Sequence, residues 1–297
     1  MNINGYFIFD GLDTRTLPGV TVVRGQTREA PAREFDVRAI PGRNGDMLID
    51  GRKYPNIEIT YHVMMRENVE ATFRQLSGFL MSRTNYCKLA DSWSADEYYM
   101  AYVSQPILPT VSRGEGEGAF EVVFNRKPQR FLTSGDTPAE ITSGGLVYLE
   151  NPTYFPARPQ ITLKAKGTGS NAITIQDQWL SESASGQSVV SGSRRKIVLW
   201  DGIGGTSTSL LYRYVSNGDV VIIDCESRSV YNATRGISLN AITYLTNHDN
   251  PWIDGTIFYP DFPVLDPILQ TDYANVTMLF QSQYATDVSV LPRWWSV

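Results

Sequence analysis

Asp224 and Glu226 stand two residues apart in Ile223-Asp224-Cys225-Glu226. On a strand that spacing puts both carboxylates on one face, because successive side chains alternate. Paired carboxyls are what glycoside hydrolysis uses, one as acid and one as base or nucleophile. Two charged residues on the solvent side of a strand give the same pattern far more often, so the structural reading comes first. The rest of the catalytic inventory is thin. The two histidines are His62 and His248, and the chain contains no Gly-x-Ser-x-Gly elbow for either to serve. Cys87 and Cys225 fall in different halves, each in a strand-like run, and read as buried free thiols. Without a Cys-x-x-Cys or His-x-x-x-His pairing, a zinc site lacks its ligands. Gly114-Glu115-Gly116-Glu117-Gly118 has the glycine density of a phosphate cradle, but no Lys-Ser/Thr follows and its glutamates repel phosphate. No catalytic, cofactor-binding or metal residue is assigned.

Saccharide binding is the stronger rival chemistry. Sugars stack on exposed aromatic rings, and Trp179, Trp200 and Trp252 lie in or near loops of the second half. His248-Asp249-Asn250-Pro251-Trp252 partly resembles the His-x-Asn-Pro-Arg stretch of sugar-binding galectins. Trp252 stands where that stretch has the arginine that holds a hydroxyl. His248, Asn250 and Trp252 are therefore candidate contacts for a saccharide or a partner, weighed against a plain turn-rich loop.

Length and composition bound what these residues can belong to. A chain of 297 residues, 42% hydrophobic and 19% charged, is expected to form two globular domains. A net charge of −5 and a pI near 5.2, with no run of like charge, argue against a general nucleic-acid binder. No apolar run of about 18 residues is present to span a membrane. Met1-Asn2-Ile3-Asn4-Gly5 lacks the basic and apolar regions of a signal peptide, so synthesis in a cytoplasm without export by that route is expected.

The pattern along the chain is mainly β. Short strands are expected at 3–9, 21–23, 35–39, 57–63, 86–89, 98–103 and 120–124. Phe35-Asp36-Val37-Arg38-Ala39 alternates as a half-buried strand should, and Pro41-Gly42-Arg43-Asn44-Gly45-Asp46 is dense in turn formers. In 57–63, Ile57, Ile59, Tyr61 and Val63 share a face, and His62 points to the other, solvated side. One helix is expected at about 68–82, with Asn68 as its cap and Val69, Phe73, Leu76 and Leu80 as its apolar stripe. Residues 105–118 read as a loop, and 133–145 as the interdomain region. In the second half 160–165 and 171–175 read as two strands round a Gly-rich turn, and 181–193 as an exposed mobile loop. Further strands are expected at 196–200, 210–215, 219–224, 237–242, 275–280 and 287–291. Many short strands with frequent turns point to a β-sandwich.

Several of these segments, in this order, resemble the distal tail protein (Dit) family of long-tailed phages. In the first half they are Pro41 to Asp46 with the strand that follows, the helix, and Phe124 to Phe131 with its Lys127-Pro128. In the second half they are Asn151-Pro152 with Pro156 and Pro159, Gly218-Asp219 through Glu226, Tyr231-Asn232, and Phe262-Pro263-Val264-Leu265. The strand at 275–280 and the Pro292-Arg293-Trp294-Trp295 ending complete the set. Two features depart from the family pattern. Asp266-Pro267-Ile268-Leu269 replaces its usual Pro-Gly turn, and 232–262 is longer than its minimal form. The resemblance implies two β-sandwich domains: a ring-forming domain at 1–140 carrying the helix, and a galectin-like or carbohydrate-module-like domain at 141–297. It also implies a homo-hexamer that joins the tail-tube protein on one face to the tail-associated hub protein on the other. Receptor-binding or other baseplate proteins are further partners. Such a protein is no enzyme, takes no cofactor, and sits in the virion at the tail tip after synthesis in the host bacterial cytoplasm.

The ending carries one more expectation. Termini are normally polar and frayed, and two adjacent tryptophans need apolar cover. Trp294 and Trp295 are expected to pack on their own domain, with burial against a neighbouring subunit as the alternative. A carbohydrate-binding module for host-surface saccharide is the second functional reading, and a glycoside hydrolase using Asp224 or Glu226 is the third.

Overall fold

A computed structural model describes residues 5–24, 29–111, 116–141, 146–165, 173–182, 188–199, 214–240, 243–246, 262, 264–265, 277–283 and 285–297. The chain is mainly β and divides into two compact units, Met1–Thr133 together with Val297, and Ser134–Ser296.

The first unit contains β1 (Phe7–Phe9), β2 (Leu12–Asp13), β3 (Val20–Arg24), β4 (Phe35–Arg38), β5 (Met47–Asp50) and β6 (Ile57–Met65). After these come α1 (Val69–Met81), β7 (Cys87–Asp91), β8 (Glu97–Val103), β9 (Thr110–Val111), β10 (Gly118–Arg126) and β11 (Arg130–Leu132). An antiparallel sheet runs β2-β1-β7-β8-β10-β6-β3, and β4 and β5 pair only with each other. Four strand steps separate β1 from β6, about 19 Å in a flat sheet. Yet the Phe7 and Tyr61 rings lie 5.2 Å apart, and Phe124 meets Phe7 at 5.5 Å and Phe9 at 5.0 Å. The sheet therefore curls, so that its two ends share one aromatic core. The Tyr61 hydroxyl inside that core donates to Asp91 Oδ2 at 2.6 Å, and the Trp93 amide donates to Asp91 Oδ1. These bonds satisfy a carboxylate that would be costly to bury alone. Ile59, Tyr61 and Val63 are buried, and His62 lies on the outer face beside Glu121 at 3.1 Å.

Helix α1 closes the core with Leu76 and Leu80 buried, and Phe73 edge-on to Phe120 at 5.3 Å. Thr72 is buried as well, a position outside the expected stripe. Gly118 is required beneath the helix, since an added Cβ would lie 2.5 Å from Val69 Cγ1. The cap departs from expectation. Asn68 is left-handed at φ 47° and its side chain makes no capping bond; instead its carbonyl accepts from the Thr72 amide. An Ncap side chain reaches the first-turn amides from extended backbone, and the left-handed conformation aims it elsewhere.

The second unit contains β12 (Ala139–Ile141), β13 (Leu146–Leu149), β14 (Gln160–Ala165), β15 (Ile173–Glu182), β16 (Ser188–Leu199) and β17 (Val220–Asp224). It continues with β18 (Ser229–Asn232), β19 (Ile237–Ser238), β20 (Thr243–Thr246), β21 (Thr277–Gln283), β22 (Ala285–Leu291) and β23 (Trp295–Ser296). Two antiparallel sheets form, β12-β22-β14-β17-β18-β19 and β13-β21-β15-β16-β20. Alternation is clean on the first: Ile161, Leu163, Val221, Ile223, Val230, Val288 and Val290 are all buried.

Two second-half expectations are corrected. Residues 160–165 and 173–182 do not pair as a hairpin, because β14 bonds to β17 and β22 while β15 bonds to β16 and β21 in the other sheet. Nor are 181–182 and 188–193 loop: β15 reaches Glu182 and β16 begins at Ser188, while 183–187 lie outside the described residues. Ser and Gly there sit in a ladder with two register shifts, and bulges tolerate such residues.

Replacing Leu76 with Ala is expected to lower the stability of the first unit by about 2–5 kcal/mol. Urea unfolding followed by circular dichroism reads this, and an unchanged midpoint would mean that α1 is not seated on the core.

Candidate functional site

The C-terminal tail is held by several different contacts within its own unit. Arg293 adopts φ 57°, which costs a non-glycine residue energy unless its surroundings fix it. Its amide donates to the Gly135 carbonyl at 3.0 Å and its guanidinium bonds Asp224 Oδ1 at 2.9 Å. Gly135 must be glycine there, since a Cβ would fall 2.4 Å from the Trp294 amide nitrogen. Trp294 is 5% exposed. Trp295 stacks on Phe155 at 4.6 Å and donates its indole N–H to the Pro156 carbonyl at 2.9 Å.

These contacts answer the carboxylate question. Asp224 ends β17, and Glu226 lies in the following turn instead of on the strand, so the two do not share a face. Asp224 Oδ1 accepts from the Glu226 and Ser227 amides, which folds the chain back on itself. Burial works to raise the Asp224 pKa, but the Arg293 guanidinium and the two amides outweigh it and hold the carboxyl below its ordinary value. A committed ion pair of this kind is no poised acid.

Other motif residues interlock in the same way. Asn151 is buried, and its amide nitrogen donates to the Phe155 and Leu265 carbonyls, both at 2.8 Å. Its carbonyl oxygen accepts from the Thr153 amide and hydroxyl. Ala157 and Leu265 exchange backbone hydrogen bonds, so the Asn-Pro segment and the segment around Leu265 form one staple. Asn232, fully buried, donates to Asp219 Oδ2 at 2.8 Å and to the Tyr214 carbonyl. His248, Asn250, Trp252 and Trp200 lie outside the described residues, and Trp179 falls within β15. Cys225 is buried, and burial pushes the partly buried Cys87 thiol up. Among the described residues no group of three His, Cys, Asp or Glu could hold a metal, and no helix is long and apolar enough to cross a membrane.

The surface that stands apart was not foreseen. All eight residues of β4 and β5 are exposed, contrary to the half-buried strand expected at 35–39. Register places Phe35, Val37 and Leu48 on one face of this hairpin, and Met47 and Ile49 beside Asp36 and Arg38 on the other. Phe35 is 46% and Leu48 63% exposed. Gly42 and Gly45, both at positive φ, turn the tip. At the base Arg33 pairs with Asp50, and Lys53 with Glu34 at 3.2 Å. The signal available in the sequence was Met47-Leu48-Ile49-Asp50 after the turn, a second strand that pairs back.

No family model matches the chain, and no curated protein matches it. Among solved structures, it aligns over 99% of its length with 99% of the SPP1 Dit protein, gp 19.1, at a TM-score of 0.58 and 12% identity. The chain has the Dit fold. That structure is described as a paradigm of the hub adsorption apparatus in phages infecting Gram-positive hosts. Chains of the phage P2 baseplate in its activated conformation, with Ca or with Sr, align over 96% of both chains at TM-scores of 0.48 and 0.47, with 9% and 8% identity.

Two outcomes test the tail of this Dit fold. Trp294→Ala should cost the second unit about 3–5 kcal/mol, read as an earlier melting transition; equal melting would remove the tail from the core. Because the folded pKa of Asp224 lies below its unfolded value, the stability it adds is present at neutral pH and is lost as pH falls below about 4 through the folded pKa. Asp224→Asn should therefore flatten that acid limb and cost about 1–3 kcal/mol at pH 7; an unaltered pH profile would show that the ion pair contributes nothing.

Proposed function

We propose that this protein is a structural virion component: a hexameric ring adaptor at the distal end of a long phage tail, joining the tail tube to the tail-tip hub. The exposed β4–β5 hairpin carries the reading. An isolated two-stranded hairpin is marginal in water, and this one shows apolar side chains on both faces. Its exposed ion pairs add little, since such pairs are worth about 0–1 kcal/mol. A surface of this kind is built to be covered, and a neighbouring copy is a partner always at hand. An arm that docks on a different patch of the next copy is a heterologous contact, and heterologous contacts with the right rotation close into rings. The Dit fold supports the same reading through the hub apparatus named for the SPP1 protein. The first unit then forms the ring. The second unit is the galectin-like domain, held by its own staples and carrying contacts to baseplate proteins. No step of this role needs chemistry: the protein positions its partners.

Light scattering behind a sizing column is the test. The full chain should run near six times 33.2 kDa. A variant in which 35–50 is replaced by a short Gly-Ser turn should run as a monomer with the second unit folded. An armless variant that keeps the ring mass, or a full chain that stays monomeric, would overturn the proposal.

A further inference from the structure

The ring reading gives each copy an arm, and on that reading a second, different patch must receive it. The outer face of the first unit holds a cleft of about 420 Å³, lined by Pro106, Leu108, Phe120 and Val123 with His62 and Glu121. Its origin lies in the sheet. On the side away from β6, β10 pairs with β9 at Gly118 and Ala119 and with β8 from Phe124 to Arg126. Between them the chain detours, and among the described residues no strand lies beside β10 there. The Val123 carbonyl accepts from the Ser104 amide, and the Lys127 amide donates to the Met100 carbonyl, so odd-numbered residues of β10 aim their backbone groups to that side. The Glu121 N–H and C=O therefore face the cleft, and among the described residues no backbone partner meets them there. The result is a short open sheet edge with an apolar rim, topped by Leu108 at 77% exposure.

We infer that this cleft is the receptor for the β4–β5 arm of a neighbouring copy of the same chain. The chemistry of the two surfaces fits. The arm offers the Phe35, Val37 and Leu48 face for the Pro106 and Leu108 rim, and each of its strands has an outer edge, without a strand partner among the described residues, that can bond the Glu121 backbone. Charge has the right sign as well. From Arg33 to Lys53 the arm carries one more basic than acidic side chain. The receiving face carries Glu58, Glu117 and Glu121, with Arg66 paired to Glu117. A folded-back arm covering its own cleft is not what the chain shows, because Leu48 and Leu108 are both largely exposed in one copy.

Paired cysteines test this on the full chain. Leu48→Cys and Leu108→Cys are combined in a Cys87→Ser background, and the protein is oxidised mildly and run on a denaturing, non-reducing gel beside each single variant. Both positions are exposed, so folding is not at stake. A ladder of covalent multimers reaching six chains, absent from either single variant, is the expected result. A particle of ring mass without a ladder would overturn the arm–cleft pairing and leave the ring reading standing. A fast-migrating monomer with an internal crosslink would overturn the pairing between copies. A monomer with no crosslink would overturn both.

Discussion

A hairpin that keeps apolar side chains in water on both faces is the constraint on which the rest of the first unit turns. Nothing in the β4–β5 ladder itself can hold Phe35, Val37, Met47, Leu48 and Ile49 exposed at low cost. What the unit supplies is a firm root. The arm feeds directly into β6, an interior strand of the curled sheet whose inward residues are wholly buried. The segment that enters the arm is tied down by Arg126, which reaches from the end of β10 to the Glu29 carbonyl at 3.1 Å and lies over the Tyr99 ring. Gly51 lets the returning strand pass close to the Glu34 carbonyl, and its amide bonds there at 2.9 Å. A firm core, a fixed root and an exposed arm are what the proposed ring would require of each subunit.

The second unit solves a different problem. Its connection at 150–159 is partly buried, and a buried connection must satisfy its own backbone groups. Buried Asn151 and Asn232 do this as side-chain staples, Asn151 to Leu265 across 114 residues and Asn232 to Asp219 across 13. Asp224 and Arg293 close the end of the chain, with the tryptophans seated beyond them. Residues that read as chemistry in the sequence are here spent on holding loops. The Asp-x-Glu pair, the Asn-Pro segment and the Trp-Trp ending thus each have a structural role in the described residues.

Much of the fold was legible. The period-two runs at 57–63 and 120–124 and the helical stripe at 69–80 fixed elements correctly, because burial selects side-chain type at those spacings. Several features were not legible, each for a physical reason. The arm obeys the alternation of a buried strand yet is exposed in the single chain, and the proposed neighbour would supply its cover. Alternation reports burial without saying in what. The pairing of β14 was missed because adjacency in sequence favours a hairpin, whereas a two-sheet unit lets neighbouring strands part company. The strand residues at 181–182 and 188–193 were missed because Ser and Gly signal loops unless a long ladder overrides them. Asp224 and Glu226 were placed on one face by assuming that the strand continued, but it ends at Asp224. Arg293, the partner of Asp224 at a separation of 69 residues, leaves no local trace.

Electron microscopy of the purified full chain, with single particles averaged without imposed symmetry, tests the central claim most directly. The account predicts a six-fold ring with a central opening, in which density for residues 35–50 leaves one subunit and lies on the next. Isolated monomers, or rings whose arms point into solvent, would contradict it.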